Sequence, residues 1–283
     1  MKNVLSMQSA VAYGHVGNTA AALPLQRLGI EVWPVDTARL SNHTGHATWR
    51  GGPVAAAAVA EVIDGIVALG VLGECDALLT GYLGDAAVAQ VAANTLARLR
   101  RANGKALYLC DPVMGNAARG FYVAAGVPEF VRDVLAPRAD VVTPNRFELA
   151  FLARRPVAGP HDARAAADAV RALGPGVVVC TSLEGGDGGD GIATLAADGE
   201  GAWLVRTPRI DAVANGAGDV LAALFLGHLL RGAGPAHALS WSVSAVHAVL
   251  AATAAAGSRE LALVQAQDAF AAPPTLFPAE PLG

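Results

Sequence analysis

Short apolar runs alternate with longer segments of helical period along most of the chain. Residues 4–8 read as a strand, 14–17 as a turn, and 18–28 repeat apolar positions at helical spacing up to the stop at Gly29. A second strand is predicted over 30–35, followed by a polar loop over 36–52 with no clear period. Further strands are predicted over 77–80, 106–110, 141–143 and 177–180, and helices over 54–69, 86–101, 127–135, 146–153 and 161–173. Residues 192–196 and 202–206 read as an antiparallel pair about a turn at 198–201. From Gly216 onward the pattern is helical, over 220–231, 236–256 and 265–270. Such alternation predicts an α/β fold with a mostly parallel sheet covered by helices on both faces. No linker divides the chain, so a single domain over 1–283 is expected. In such sheets ligands sit beyond the carboxyl ends of the strands, so the loops there are where chemistry is sought.

Composition narrows the class. The chain of 283 residues is 53% hydrophobic and only 16% charged, which excludes disorder. A formal net charge of −4 with no basic run gives no nucleic-acid footprint. The most apolar windows, 220–230 and 243–256, are bounded or interrupted by Asp219, His228, Arg231 and His247, and read as buried helices rather than membrane spans. The apolar stretch after Lys2 is broken by Ser6, Gln8 and Ser9, too early for a signal peptide. Cys75, Cys110 and Cys180 are far apart, which fits small hydrophobes in a reducing cytoplasm better than a disulfide framework.

Two motifs fail on inspection. Residues 186–191 match GxGxxG, and Asp211 lies 20 positions further on. A strand pattern follows instead of a helix, and Asp187 and Asp190 would repel a pyrophosphate, so a surface loop is expected. His43 and His46 are three apart, with no carboxylate or third histidine nearby in sequence to complete a metal site.

Other signals fall at strand ends. Asn215-Gly216-Ala217-Gly218-Asp219 stands directly before a long apolar helix. Its glycines leave backbone N–H groups uncovered at the positive pole of the helix, which suits an anion. Asp219 has two readings there: an acid stabilising the helix dipole, or a general base beside an anion hole. Asp111-Pro112 follows a strand, where the carboxylate can hold Mg²⁺ or simply open a turn. Thr143-Pro144-Asn145 follows the next strand and opens a helix that Thr143 or Asn145 can cap, with Glu148 placed to support a metal through water. Ser9, the 41–45 segment and the 80–84 segment around Tyr82 add small hydrogen-bonding groups and one aromatic ring, which suit a small polar ring better than a polyanion.

Taken together, Ser9, Tyr13-Gly14-His15-Val16-Gly17-Asn18, Pro24-Leu25-Gln26-Arg27-Leu28-Gly29, Ser41-Asn42-His43-Thr44-Gly45, Gly81-Tyr82-Leu83-Gly84, Asp111-Pro112-Val113-Met114-Gly115, Thr143-Pro144-Asn145 with Glu148, and Gly216-Ala217-Gly218-Asp219 resemble the pyridoxal kinase family of the ribokinase superfamily. The last element marks only the superfamily, whereas the segments 13–18 and 41–45 are specific to the pyridoxal branch. The resemblance covers nearly the whole chain. It implies a ribokinase-like fold without a separate large lid domain, and ATP-dependent phosphorylation of the 5′-hydroxymethyl group of pyridoxal, pyridoxine or pyridoxamine. By the same resemblance Asp219 is the base, and the amides of Gly216, Ala217 and Gly218 form the anion hole. Ser9, Val16, Thr44, Gly45 and Tyr82 meet the pyridine ring. Asp111, Thr143, Asn145 and Glu148 lie on the nucleotide and Mg²⁺ side, with Asp111 and Glu148 toward the metal. Thr181 and Ser182 meet the ATP phosphates, and Thr207, Pro208, Arg209 and Ile210 border the adenine. A homodimer, a cytoplasmic location and a monovalent cation such as K⁺ are also implied.

Three residues depart from the family's usual pattern. Leu40 stands where Phe is frequent and cannot stack on a pyridine ring, and His46 stands where Tyr is usual. Ala217 replaces a frequent Thr but keeps the backbone donor. Two rival readings remain: a hydroxymethylpyrimidine kinase of the same superfamily, and a catalytically weak carrier of B6 vitamers, which the intact Asp219 and Asp111 disfavour.

Overall fold

Lys2–Tyr13 (β1) forms the spine of the sheet, pairing in parallel with Ile30–Asn42 (β2) on one side and with Ala77–Thr80 (β4) on the other. The computed structural model describes residues 1–184, 191–212 and 215–283, so the 186–191 glycine match lies almost wholly outside the described residues. Gly51–Pro53 (β3) closes one edge against β2. Beyond β4 the parallel order continues through Leu107–Cys110 (β5), Val141–Val142 (β8) and Val177–Glu184 (β9). Gly191–Ala197 (β10), Ala202–Pro208 (β11) and Glu280–Pro281 (β12) complete the other edge antiparallel. The ten strands run β12-β11-β10-β9-β8-β5-β4-β1-β2-β3. A separate hairpin of Gly115–Asn116 (β6) and Gly120–Phe121 (β7) projects after β5.

Helices cover both faces, each with its own apolar core. Ala56–Ala68 (α2), Ala86–Ala102 (α3), Val127–Phe130 (α4), Arg146–Ala153 (α5) and Pro160–Arg171 (α6) bury residues such as Ile63, Val88, Leu99, Leu149 and Val170 on one face. Asn18–Arg27 (α1), Ala217–Leu230 (α7) and Pro235–Ala255 (α8) bury Leu25, Leu224, Phe225 and Leu239 on the other. Val220 through His228 are all buried, so α7 is apolar all round and lies inside the fold. The helix α8 is long and apolar enough to cross a membrane by length and composition. It packs against α7, β10 and β11, and half of that apolar window is buried.

The mostly parallel sheet and its two helical layers follow the pattern read from the sequence; β1 runs past the expected 4–8 to span Lys2–Tyr13, the β6–β7 hairpin and β12 are additions, and three further differences stand out. The polar loop expected over 36–52 is about half strand: β2 stays paired with β1, through a register shift at Gln8–Ser9, as far as Tyr13 opposite Asn42, and β3 adds to it. Backbone pairing does not depend on side-chain polarity, and this end of the sheet projects past the apolar core, so no hydrophobic alternation marks it. The helix expected over 127–135 starts as α4 and continues through a wider turn at Val131–Leu135. β9 runs four residues beyond the expected end, to Glu184, through a bulge. All three cysteines are buried thiols.

Candidate active site

Every parallel strand presents its carboxyl end to one edge of the sheet, and the sequence-predicted residues collect there. Ser9 and Val16 follow the core part of β1, and Thr44 and Gly45 follow β2. Gly81 and Tyr82 follow β4, Asp111 follows β5, Thr143 and Asn145 follow β8, and Thr207 to Ile210 end β11. The start of α7 completes the edge with Gly216, Ala217, Gly218 and Asp219.

The turn before α7 depends on Gly216. Its φ is +96°, a left-handed conformation that L side chains rarely adopt, and a Cβ there would lie 2.1 Å from the His15 carbonyl oxygen. The first helical bond runs from the Val220 amide to the Gly216 carbonyl. The amides of Ala217, Gly218 and Asp219 therefore precede the ladder and suit an anion. Asp219 Oδ2 accepts from the Gly17 amide at 2.9 Å. Burial raises the Asp219 carboxyl to about 6, against the opposing pull of that hydrogen bond.

Gly17 opens α1, whose first residue ties the ends of β1 and β2 together. Asn18 accepts from Ser6 Oγ at 2.8 Å and donates to Asp36 Oδ1 at 2.9 Å. Ser9 is buried at a register shift between β1 and β2, beside the backbone of Gly17. Tyr82 is half-buried, and its carbonyl accepts from Thr37 Oγ1. Burial and the nearby Asp85 raise its phenol. Thr44 and Gly45 are exposed.

A cluster of carboxylates occupies the middle of the edge. Asp111 is buried and accepts from Thr143 Oγ1 at 2.9 Å, so the Thr143 hydroxyl orients Asp111. Burial, then the charges of Asp219 and Glu148, push the Asp111 carboxyl well above the usual carboxylate range. Glu148 Oε1 accepts from the amides of Met114 at 2.9 Å and Gly115 at 3.2 Å, and its Oε2 from the amide of Asn145 at 3.0 Å. Burial raises Glu148 to about 7, while these amide bonds lower it and Asp219 raises it further. Asn145 caps α5 and donates from Nδ2 to the Gly115 carbonyl at 2.8 Å. Glu148 and Asn145 thus form a capping box that also fastens the segment after Asp111. Three buried carboxyls stand close enough that the Asp219 charge raises both Asp111 and Glu148, and the Glu148 charge raises Asp111, an acidic environment that fits a divalent cation. Among the described residues no hydrogen bond reaches Asp111 Oδ2, and Glu148 Oε2 accepts only from Asn145.

On the far side, Thr181 and Ser182 lie within β9 rather than beyond it. Two β9 residues oppose Thr194 of β10 there, and Ser182 takes a left-handed φ of +60°. Such strain in a non-glycine residue is concentrated at functional sites. Thr207 and Pro208 pair with Ile192 and Gly191, and Arg209 and Ile210 continue along the rim.

Two functional candidates were not legible in the sequence. Tyr122 follows the β6–β7 hairpin, and burial, then the charges of Glu148, Asp111 and Asp219, raise its phenol. Glu260 lies after α8, yet its Oε1 is 3.0 Å from His43 Nε2 and 2.6 Å from His46 Nε2. This overturns the expectation that no carboxylate stands by the two histidines: the partner lies 214 positions beyond His46, where spacing carries no signal. Two surface cavities of about 430 Å³, one beside Arg132 and Leu152 and one beside Val67 and Arg98, include none of these residues.

A doubly covered sheet with a glycine-framed helix start, an acid in its first turn and a carboxylate cluster at the strand ends defines a ribokinase-like phosphotransferase. The profile of the phosphomethylpyrimidine kinase family matches residues 50–263. The chain is 55% identical to pyridoxal kinase PdxY of Rubrobacter xylanophilus over 278 residues, 98% of this chain and 96% of that one. It is 48% identical to pyridoxal kinase PdxY of Leifsonia xyli over 281 residues, 99% of both chains. Among solved structures, pyridoxal kinase from Leishmania donovani in complex with ADP and pyridoxine superposes with a TM-score of 0.93 at 30% identity, over 99% of both chains. The chain belongs to the pyridoxal kinase family and is a phosphotransferase.

Proposed function

We propose that this chain transfers the γ-phosphoryl group of ATP to the 5′-hydroxymethyl group of pyridoxal, and of pyridoxine or pyridoxamine, within a single domain over 1–283. The observation that carries this reading is Asp219, ionisable near neutrality and set directly beside the free amides of the α7 start. The full-length likeness to a pyridoxal kinase holding ADP and pyridoxine supports the substrate pair.

In this reading the B6 ring lies among Ser9, Val16, Thr44, Gly45 and Tyr82. ATP lies across Thr181 and Ser182, with its adenine toward Thr207, Pro208, Arg209 and Ile210. Asp219 takes the proton of the 5′-hydroxyl as that oxygen bonds to the γ-phosphorus. The bond from the γ-phosphorus to the β–γ bridging oxygen breaks, and ADP leaves with that oxygen. The amides of Gly216, Ala217 and Gly218 hold the transferring oxygens. Asp111, oriented by Thr143, and Glu148, through water, would hold Mg²⁺, which supplies neutralising charge to the phosphates. Asn145 keeps Glu148 and the segment after Asp111 in place. A monovalent cation, a homodimer and a cytoplasmic location belong to this proposal on the strength of the resemblance.

The experiment is phosphate transfer from Mg-ATP with pyridoxal, pyridoxine, pyridoxamine and hydroxymethylpyrimidine run side by side. Turnover of a B6 vitamer well above the pyrimidine is expected. Preference for the pyrimidine would replace this reading with the pyrimidine kinase, and binding of pyridoxal without turnover would replace it with a carrier.

A further inference from the structure

His43 is the junction of three segments that are far apart in sequence. Its side chain is buried, only 6% exposed. Its Nδ1 accepts from the Gly45 amide at 3.1 Å, a turn inside the segment that carries Thr44. The Asn215 side chain lies 3.3 Å from the same nitrogen, one residue before the anion hole. A ring nitrogen that accepts from a backbone amide carries no proton. The neutral imidazole therefore has its proton on Nε2, which lies 3.0 Å from Glu260 Oε1 without an aligned hydrogen bond to it; the aligned bond to that oxygen is from His46 Nε2. That tautomer suits a hydrogen bond to a carboxylate and disfavours a metal ion, which would need the Nε2 lone pair.

Glu260 is itself held from both sides. Leu261 and Leu263 are buried in the core, and Ser258 bonds the Glu260 backbone. Gly14 leaves room for the carboxylate: a Cβ there would fall 1.8 Å from Glu260 Oε2. His46 shares Oε1 at 2.6 Å, and Arg259 donates to the Gly45 carbonyl at 3.2 Å. The 258–261 segment thus clamps the turn that carries Thr44 and Gly45 at three points.

We infer that Glu260 is a positioning residue for the B6 ring: through its hydrogen bond with His46 and its charge packed beside His43 it fixes the Thr44–Gly45 turn against Asn215, and so sets vitamer affinity. The inference rests on the proposed B6 site. Glu260 touches neither reacting oxygen nor phosphate, so its effect belongs in binding of one substrate. The turn also has an acid limit. Protonation of His43 puts a second N–H on Nδ1, facing the Gly45 amide, and the turn then opens. The charged groups that face His43 are Glu260, His46 and Arg259; burial lowers its pKa, while the Glu260 charge raises it.

The test compares Glu260→Gln and Glu260→Ala with the unaltered chain, measuring KM for pyridoxal, KM for ATP and kcat from pH 5 to 8. Glu260→Ala should raise KM for pyridoxal by about tenfold or more, with smaller changes in kcat and in KM for ATP. Glu260→Gln keeps an acceptor and the side-chain shape, so it should fall between the two. In Glu260→Gln the acid rise in pyridoxal KM should also begin at lower pH, because the charge that favours protonated His43 is gone. An unchanged pyridoxal KM in both variants overturns the inference, as does an equal loss across pyridoxal KM, ATP KM and kcat. Stoichiometric Zn²⁺ binding that Glu260→Ala abolishes would make the cluster a metal site and overturn it too. Failure of the unaltered chain to phosphorylate any vitamer would overturn the reading beneath it instead.

Discussion

The Gly17 amide donates to Asp219 Oδ2 at 2.9 Å, joining the first turn of α1 to the first turn of α7 across 202 positions of sequence. The bond fixes one carboxylate oxygen, and among the described residues no hydrogen bond reaches Oδ1. Asp219→Asn should therefore lower kcat by about 10²–10⁴-fold while ADP affinity, measured by calorimetry, changes little. Near-normal turnover in that variant would remove Asp219 as the base.

Asp219 must be ionised to accept a proton, and burial has raised its carboxyl to about 6. The sign is set by that direction: the base form is present above about pH 6 and is lost below it. A plot of kcat against pH at saturating substrates should show an acid limb near there, falling about tenfold per pH unit. A kcat that stays flat down to pH 4.5 would contradict the assignment.

Asp111 and Glu148 are both raised by burial but differ in what holds them. A raised carboxyl binds protons more tightly in the folded chain. Its stabilising contribution is present below the unfolded pKa and is lost as pH rises through the folded one. Asp111→Asn keeps an acceptor for the Thr143 hydroxyl and removes a buried charge. It should raise the Tm of the ligand-free protein at pH 8, by an amount on the order of a few degrees, while lowering activity.

Glu148→Gln should do the opposite. A carboxamide offers one oxygen, whereas Glu148 uses both of its oxygens to accept from three amides. Placing NH₂ against the Asn145 amide leaves a buried donor unpaired, at a cost of about 1–3 kcal/mol. Thermal unfolding at pH 8 should show a lower Tm, and a Tm at or above that of the unaltered chain would show that Glu148 is not the staple described.

Gly216→Ala should be disabling for a steric reason alone. The backbone φ is +96° and the added methyl would sit 2.1 Å from the His15 carbonyl oxygen, an atom of a neighbouring turn that cannot swing aside. Both the anion hole and the 13–18 turn must shift. We expect a loss of stability of about 1–3 kcal/mol by denaturant titration together with a fall in kcat.

The sheet and its helical layers were legible because buried parallel strands and amphipathic helices carry strong periodic signals. The strand-end position of Asp111 and Thr143, and the helix-start position of Asp219, followed from the same reading. The end of β2 was not legible, since Asp36, Arg39 and Asn42 pair with β1 through the backbone, which carries no hydrophobic alternation. Glu148 was legible as an acid near the nucleotide side, but its bonds to Met114 and Gly115 come from tertiary closure. Glu260 carried no local signal at all. The glycines of the 13–17 segment were visible as a motif, yet the reason for Gly14 lies in a carboxylate that arrives after α8.

The Gly17–Asp219 and His43–Glu260 contacts each join the first fifth of the chain to its last quarter. Contacts of such long range carry a loop-closure cost that the ordering of the intervening sheet reduces. On the ribosome, β1 and β2 emerge long before α7 and the segment after α8. A nascent chain can lay down most of its parallel strands and still lack both the base and the clamp. A chain truncated within α8 therefore keeps Asp219 but loses Glu260 and the buried Leu261, Leu263 and Phe270 that close the core around α7 and α8.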